Sequence, residues 1–235
     1  MSIIEVKDLS LAYEDGPSVL EGISFTAEEG EALVFAGLSG SGKTTLCSCL
    51  CGILPRSEPV AFSGSVTVDG VDIPNAPLHE CAQHIAMVFQ NPDDQLVCTA
   101  VEDELAFGLE NLCVPPDEIR RRVDAMMAEF GLSGMAESDP AKLSGGQKKL
   151  VTIASTLILG PKVIVLDEPM TGLDPTAAYE LKQMMREHAN AGNAVLFSTH
   201  VHEVAEQLCD KILIINTGKI IREGTLEFLS STIPA

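Results

Sequence analysis

The sequence predicts an α/β fold: a mostly parallel sheet, an antiparallel β subdomain, and a helical subdomain inserted into the chain. Three observations carry this. Short uninterrupted apolar runs, Ala32–Ala36 and Val163–Leu166, have the length and character of strands buried on both faces. Segments of helical periodicity alternate with such runs, as crossover connections between parallel strands require. From Asn91 to Leu143 the alternation stops and two helical stretches follow one another.

The elements follow in order. From Ile3 to Phe25 apolar and polar residues alternate around the turn signal Asp15-Gly16-Pro17, which predicts antiparallel strands. Ala32–Ala36 is a buried strand, the glycine-rich stretch 37–42 a loop, and Lys43 opens a helix. Residues 64–68 and 85–89 read as further strands. Residues 100–110 and 116–130 are periodic helices in an acidic block, with 12 Asp/Glu against 4 Lys/Arg between Asn91 and Lys142. Beyond Leu143, helix is expected over 145–159, strand over 163–166, and helix over 175–191 with Pro175 in its first turn. A strand over 194–198, a helix over 202–209 and a strand over 211–216 complete the pattern. The whole reads as one domain over 1–235. Residues 1–90 and 143–235 form the core with its β subdomain, and 91–142 form the helical insertion.

Composition bounds the function. Hydrophobic residues make up 46% and charged residues 21% of the 235, which describes a globular chain. The formal net charge of −19 opposes nucleic acid as a partner, since phosphate backbones need clustered Lys and Arg. It equally opposes insertion into or adsorption on anionic lipid. The opening residues MSIIEVKDLS lack a basic region followed by an apolar run, and no stretch reaches about 18 apolar residues. A cytoplasmic chain is expected. Seven cysteines cannot all pair with one another. Cys47, Cys49 and Cys51 lie in the predicted helix after the glycine-rich loop. Cys47 and Cys51 share one face and Cys49 points away, so core packing rather than metal binding is expected.

Chemistry enters at Gly37-Leu38-Ser39-Gly40-Ser41-Gly42-Lys43-Thr44, a match to the phosphate-loop pattern G-x-x-x-x-G-K-[ST]. The glycines let backbone N–H groups face phosphate oxygens, and the helix that follows adds the positive end of its dipole. Lys43 brings a full charge to the last two phosphates, and Thr44 offers a hydroxyl to Mg²⁺. The apolar strand 163–166 ends in Asp167 and Glu168, at the sheet edge where ligands of α/β folds sit. Asp167 would hold Mg²⁺ through water, and Glu168 would polarise the attacking water. Leu143-Ser144-Gly145-Gly146-Gln147 combines a capping serine, glycine N–H groups and a helix start, a second anion-binding arrangement.

In this order the segments resemble the ATP-binding subunit of an ABC transporter, over essentially the whole chain. The resemblance implies a P-loop NTPase (RecA-like) core. Residues 37–45, with Thr45, resemble Walker A, and Leu143–Gln147 resemble the ABC signature. Asp167 and Glu168 resemble Walker B with its catalytic glutamate. Gln90 sits where the family has the Q-loop glutamine, implied to reach Mg²⁺ and the attacking water. Thr171–Asp174 resembles the D-loop, His200 the switch histidine, and Tyr13 the aromatic that stacks on adenine. No Asn-Lys-x-Asp motif for reading guanine is present, which favours ATP over GTP.

The family implies a second ATPase subunit, paired head to tail as a homo- or heterodimer. Ser144, Gly145, Gly146, Gln147 and Asp174 would then meet nucleotide held by the other subunit. Residues 91–108, beginning NPDDQL and running on through TAVEDELAFG, resemble the ATPases of energy-coupling-factor importers of vitamins, cobalt or nickel. There this segment docks a helix of the integral membrane subunit, which would place the chain on the inner face of the membrane. The sequence departs from the family where Lys148-Lys149-Leu150 replaces a run that usually ends in Arg. It also ends at Ala235 without the C-terminal extension found in many of these ATPases. The stretch from Ser198 onward resembles exporter ATPases, which keeps an ABC exporter as the alternative. A soluble ABC ATPase acting on nucleic acid or ribosome is a remoter one.

Overall fold

The computed structural model describes residues 2–14, 16–200 and 208–225. The helix expected over 202–209 falls mainly on residues outside this set. Two sheets enclose most of the hydrophobic core. The first is antiparallel, in the order β2-β1-β4-β5, formed by β1 (Ser2–Tyr13), β2 (Ser18–Glu28), β4 (Val60–Val68) and β5 (Val71–Asp72). Alternation along β1 and β2 turns Ile4, Val6, Leu9, Leu11, Leu20 and Ile23 inward.

The second sheet has the order β10-β9-β3-β8-β7-β6. Its strands are β3 (Ala32–Ala36), β6 (Ile85–Val88), β7 (Val163–Leu166), β8 (Ala194–Thr199), β9 (Lys211–Asn216) and β10 (Lys219–Gly224). All neighbours are parallel except the edge pair β9–β10. The fully buried runs β3, β7 and β8 read as continuous apolar strands because both of their faces are covered.

Helix α1 (Lys43–Leu50) lies between the sheets, and its Leu46 and Leu50 join residues of both sheets in one cluster. Cys49 is buried in that cluster together with Cys47 and Cys51. Thr44 is exposed and Ser48 half-buried, so one side of the helix meets solvent, but its buried surface is wide enough to take in Cys49 as well as Cys47. A short helix α2 (Leu78–His84) leads into β6. On the far face of the parallel sheet, α6 (Pro175–Asn190) buries Leu181, Met185 and Ala189 against β3, β7 and β8.

The inserted helices α3 (Val101–Asn111) and α4 (Pro116–Glu129) form a separate small core with α5 (Gly145–Leu157), around Leu105, Leu109, Val123, Met127, Val151 and Ala154. Helix α5 serves two cores, since its Ile153 packs into the sheet cluster instead. The parallel sheet, the antiparallel sheet and the inserted helices expected from sequence are all present. No helix among the described residues is long and apolar enough to cross a membrane.

Candidate active site

The carboxyl ends of β3, β7 and β8 converge on one cluster of charged groups. The loop 37–42 leaves β3 and turns into α1 at Gly42, whose φ of 104° is left-handed. A Cβ there would also press on the Val19 carbonyl at 3.0 Å, so the position needs glycine on two counts. The loop is supported from behind by residues distant in sequence: the Gly218 N–H donates to the Ser41 carbonyl at 3.0 Å. The first-turn N–H groups of α1 have no carbonyl ahead of them to bond, the usual basis for anion binding at a helix start.

Lys43 is 6% exposed, and its Nζ donates to the Gly37 and Leu38 carbonyls at 2.9 and 3.1 Å. It also lies 3.7 Å from Glu168 Oε1. The other Glu168 oxygen, Oε2, lies 2.9 Å from Nδ1 of the exposed His200. Glu168 is thus held between two nitrogens, on a residue with φ of 44°. Thr44 Oγ1 donates to Asp167 Oδ2 at 2.7 Å, and Ser198 Oγ donates to Asp167 Oδ1 at 2.5 Å. The same Ser198 hydroxyl accepts from the Glu168 N–H at 2.8 Å. A single buried serine therefore orients both carboxylate residues. A hydroxyl and a carboxylate side by side are hard oxygen donors of the kind Mg²⁺ takes, so the residues present fit that ion. Ser41 Oγ is buried without a hydrogen-bond partner among the described residues, directly in the loop.

Of residues 37–45, Lys43 and Thr44 come together with Asp167, Glu168 and His200. Gln90 follows β6, one residue past Phe89, and is exposed. The end of β6 is tied to the same edge by the Asp167 N–H, which donates to the Val88 carbonyl at 3.0 Å. Tyr13 closes β1, half-buried against the core cluster.

The remaining predicted residues stand apart from this cluster. Ser144 caps α5 in a reciprocal box: its hydroxyl accepts from Gln147 N–H, and Gln147 Oε1 accepts from Ser144 N–H at 2.9 Å. Gln147 Nε2 turns to Met135 Sδ at 3.4 Å. Gly145 is exposed and Gly146 half-buried beside them. Among the described residues, none of these hydrogen bonds reaches loop 37–45. Asp174 caps α6, accepting from Thr176 and Ala177 N–H groups at 2.9 and 3.1 Å.

Ser198 carries no signal of its role in the sequence, and Lys149 stands out there only as part of the departure Lys148-Lys149-Leu150. Ser198 sits in an apolar strand, and its partners are about thirty residues away along the chain. Lys149 is 2% exposed and donates from Nζ to the Phe89 and Gln90 carbonyls at 2.8 and 3.1 Å. Burial pushes its ammonium down to about 8, against the opposing pull of Asp167. A lysine on the buried stripe of a helix otherwise lined by Val151, Thr152 and Thr156 was the available signal.

The sequence profile of the ABC transporter family matches residues 20–171, well over half of the chain. The chain belongs to the ABC transporter family. Similar ABC proteins include the energy-coupling factor transporter ATP-binding protein EcfA of Methanothermobacter thermautotrophicus, 41% identical over 95% of this chain and 71% of that protein. The EcfA of Methanocaldococcus jannaschii is 39% identical over 96% of this chain and 80% of its own length. Among solved ABC structures, cbiO1 from Clostridium perfringens, described as part of the ABC transporter complex cbiONQ, superposes with a TM-score of 0.84. It is 33% identical and covers 98% of this chain and 91% of its own.

Proposed function

We propose that the chain is the ATP-hydrolysing subunit of an energy-coupling-factor ABC transporter that takes up a vitamin or metal ion. The observation that carries this reading is the Glu168 carboxylate held between Lys43 and His200, beside the Thr44–Asp167 pair.

The geometry supports the following roles. Loop 37–45 wraps the phosphates of ATP with its N–H groups, and Lys43 exchanges its two carbonyl partners for phosphate oxygens. Thr44, Asp167 and Gln90 are the groups that would hold Mg²⁺, which supplies charge neutralisation on the phosphates when bound. Ser198 keeps Asp167 turned towards Thr44. Glu168 takes the attacking water, and His200 orients that carboxylate and meets the γ-phosphate. Tyr13 stacks on the adenine.

The second half of the site comes from another ATPase subunit. Ser144 and Gly145 are exposed and Gly146 half-buried at the start of α5, and among the described residues no hydrogen bond ties them to loop 37–45, which supports pairing head to tail. Gln147 and Asp174 support it from their capping positions, by fixing the two helix starts that would face the other subunit's nucleotide. Exposed Val97 and Phe107 in the 91–108 segment suit docking of an apolar helix face from the integral membrane subunit. The chain would then sit on the membrane's inner face through that subunit and not through lipid. Attachment by this route should withstand salt that strips electrostatic adsorption.

The test is Glu168→Gln in the assembled complex. Nucleotide binding should persist while steady-state hydrolysis falls by at least about a hundredfold, the usual scale for losing a positioned base. Hydrolysis at the wild-type rate would remove Glu168 from the mechanism.

A further inference from the structure

Helix α5 begins at the signature residues and runs back past the end of β6, where it meets the backbone around Gln90. Lys149, in its second turn, places a buried ammonium against two consecutive carbonyls, those of Phe89 and Gln90. Consecutive carbonyls in a strand point to opposite sides, so both can face one nitrogen only because the chain bends as it leaves β6 at Val88. The chain wraps the Lys149 head.

Two further ties run between the same pieces. Lys148 Nζ donates to Asp93 Oδ1 at 2.6 Å. Gln95 accepts from the Phe89 N–H at 3.1 Å while its Nε2 donates to Met87 carbonyl and to Thr156 Oγ1 on α5 at 3.3 and 3.1 Å. Thr156 stands seven residues after Lys149, two turns along the same face of the helix. Segment 87–95 is therefore fastened to α5 at three points, and Lys149 supplies the one that reaches the Gln90 backbone itself.

An apolar side chain would fill this space without the desolvation a buried ammonium carries. What the lysine adds is a long, two-armed donor that fixes where Gln90 stands.

We propose that Lys149 is a positioning residue that makes Gln90 move as one piece with the signature end of α5. The inference rests on the ATPase reading given above and deepens it. In that reading the start of α5 meets nucleotide held by the other subunit, and Gln90 serves the nucleotide of its own chain. A shift of α5 on engaging the far nucleotide would be carried directly to Gln90. The two composite sites, and the docking segment that starts at Asn91, then share one rigid connector.

The experiment uses the transporter complex purified through a tag on this chain, with a fluorescent ATP analogue for affinity and phosphate release for turnover. Lys149→Met removes the donors and should lower kcat about tenfold, the scale of one misaligned charge-assisted hydrogen bond, with nucleotide affinity within about twofold of wild type. Lys149→Gln keeps an amide able to reach the carbonyls and should recover most of the turnover. Wild-type kcat in Lys149→Met, or a Lys149→Gln as impaired as Lys149→Met, would overturn the proposal.

Should Lys149→Met not fold, amide exchange on the wild-type complex decides. During ATP titration, residues 89–95 and 144–150 should gain protection together. Protection of one segment without the other would overturn the link. A wild-type complex that neither binds nor hydrolyses ATP would overturn the ATPase reading and the link with it. An active wild type beside an equally active Lys149→Met overturns the link alone.

Discussion

Replacing Ser198 by alanine tests how the two carboxylates of the site are held. The hydroxyl is fully buried, donates to Asp167 at 2.5 Å and accepts from the Glu168 N–H at 2.8 Å. Its removal orphans that N–H, at about 1–3 kcal/mol, and deletes a donor to a buried carboxylate, worth roughly 1.5–3 kcal/mol. The two losses share one atom and do not add fully, so about 3 kcal/mol is the working figure. For a chain of this size that lowers the melting temperature by roughly 6–12 °C. Calorimetry or dye-monitored melting of the isolated chain measures it. Ser48→Ala is the control, since among the described residues the Ser48 hydroxyl bonds back to the Thr44 carbonyl within its own helix and to no other group. A surface-like change of this kind should stay within about 2 °C. Turnover of Ser198→Ala should fall as well, because Asp167 is free to rotate away from Thr44. A melting temperature within about 2 °C of wild type, with unchanged turnover, would refute the view that this serine orients both residues.

Two further expectations concern the rest of the molecule. Burial pushes the Cys49 thiol up to about 12 and raises Cys47 and Cys51 strongly, so in the native protein a maleimide should modify the exposed Cys113 first and leave Cys47, Cys49, Cys51 and Cys81 untouched until denaturation. Peptide mapping after timed alkylation reads this, and native labelling of Cys47 at the rate of Cys113 contradicts it. At Asp69, burial works to raise the carboxyl, but hydrogen bonds from Lys162 at 2.9 Å and His84 at 2.7 Å outweigh it and hold it below its ordinary value. Because its folded value is depressed, its stabilising contribution is complete above the unfolded value of about 4 and is lost as pH falls through the folded one. Urea midpoints should therefore show a shallower acid decline for Asp69→Asn than for wild type, and parallel curves would count against this contact.

The legible parts of the sequence are those where one residue type admits few explanations. Ala32–Ala36 and Val163–Leu166 are too short and too apolar for anything but buried strands, and the glycines and lysine of 37–43 combine in few other ways. The less legible parts depend on distant partners. The edge strand Lys219–Gly224 carries Lys, Arg and Glu, and only its pairing with β9 makes it a strand. Helix Leu78–His84 is polar and short, and Cys81 is its one buried anchor. Ser198 reads as an ordinary strand residue until β7 is placed beside β8. Gln147 and Asp174 show a different difficulty: a motif names a residue, but the bonds it makes in the single chain are those of a helix cap.

The support behind the phosphate loop has a consequence for how the enzyme matures. Gly37 packs against the Ile215 carbonyl, Gly42 against Val19, and Gly218 against Val19 while bonding Ser41. The loop's shape thus depends on the turn between β9 and β10, at the opposite end of the sequence from the strands that first surround it. During synthesis residues 37–45 leave the ribosome long before that turn exists. A nascent chain should stay unable to grip nucleotide until β9 and β10 have docked, and ATP, by binding only the finished shape, would then lock early and late segments together in a single step.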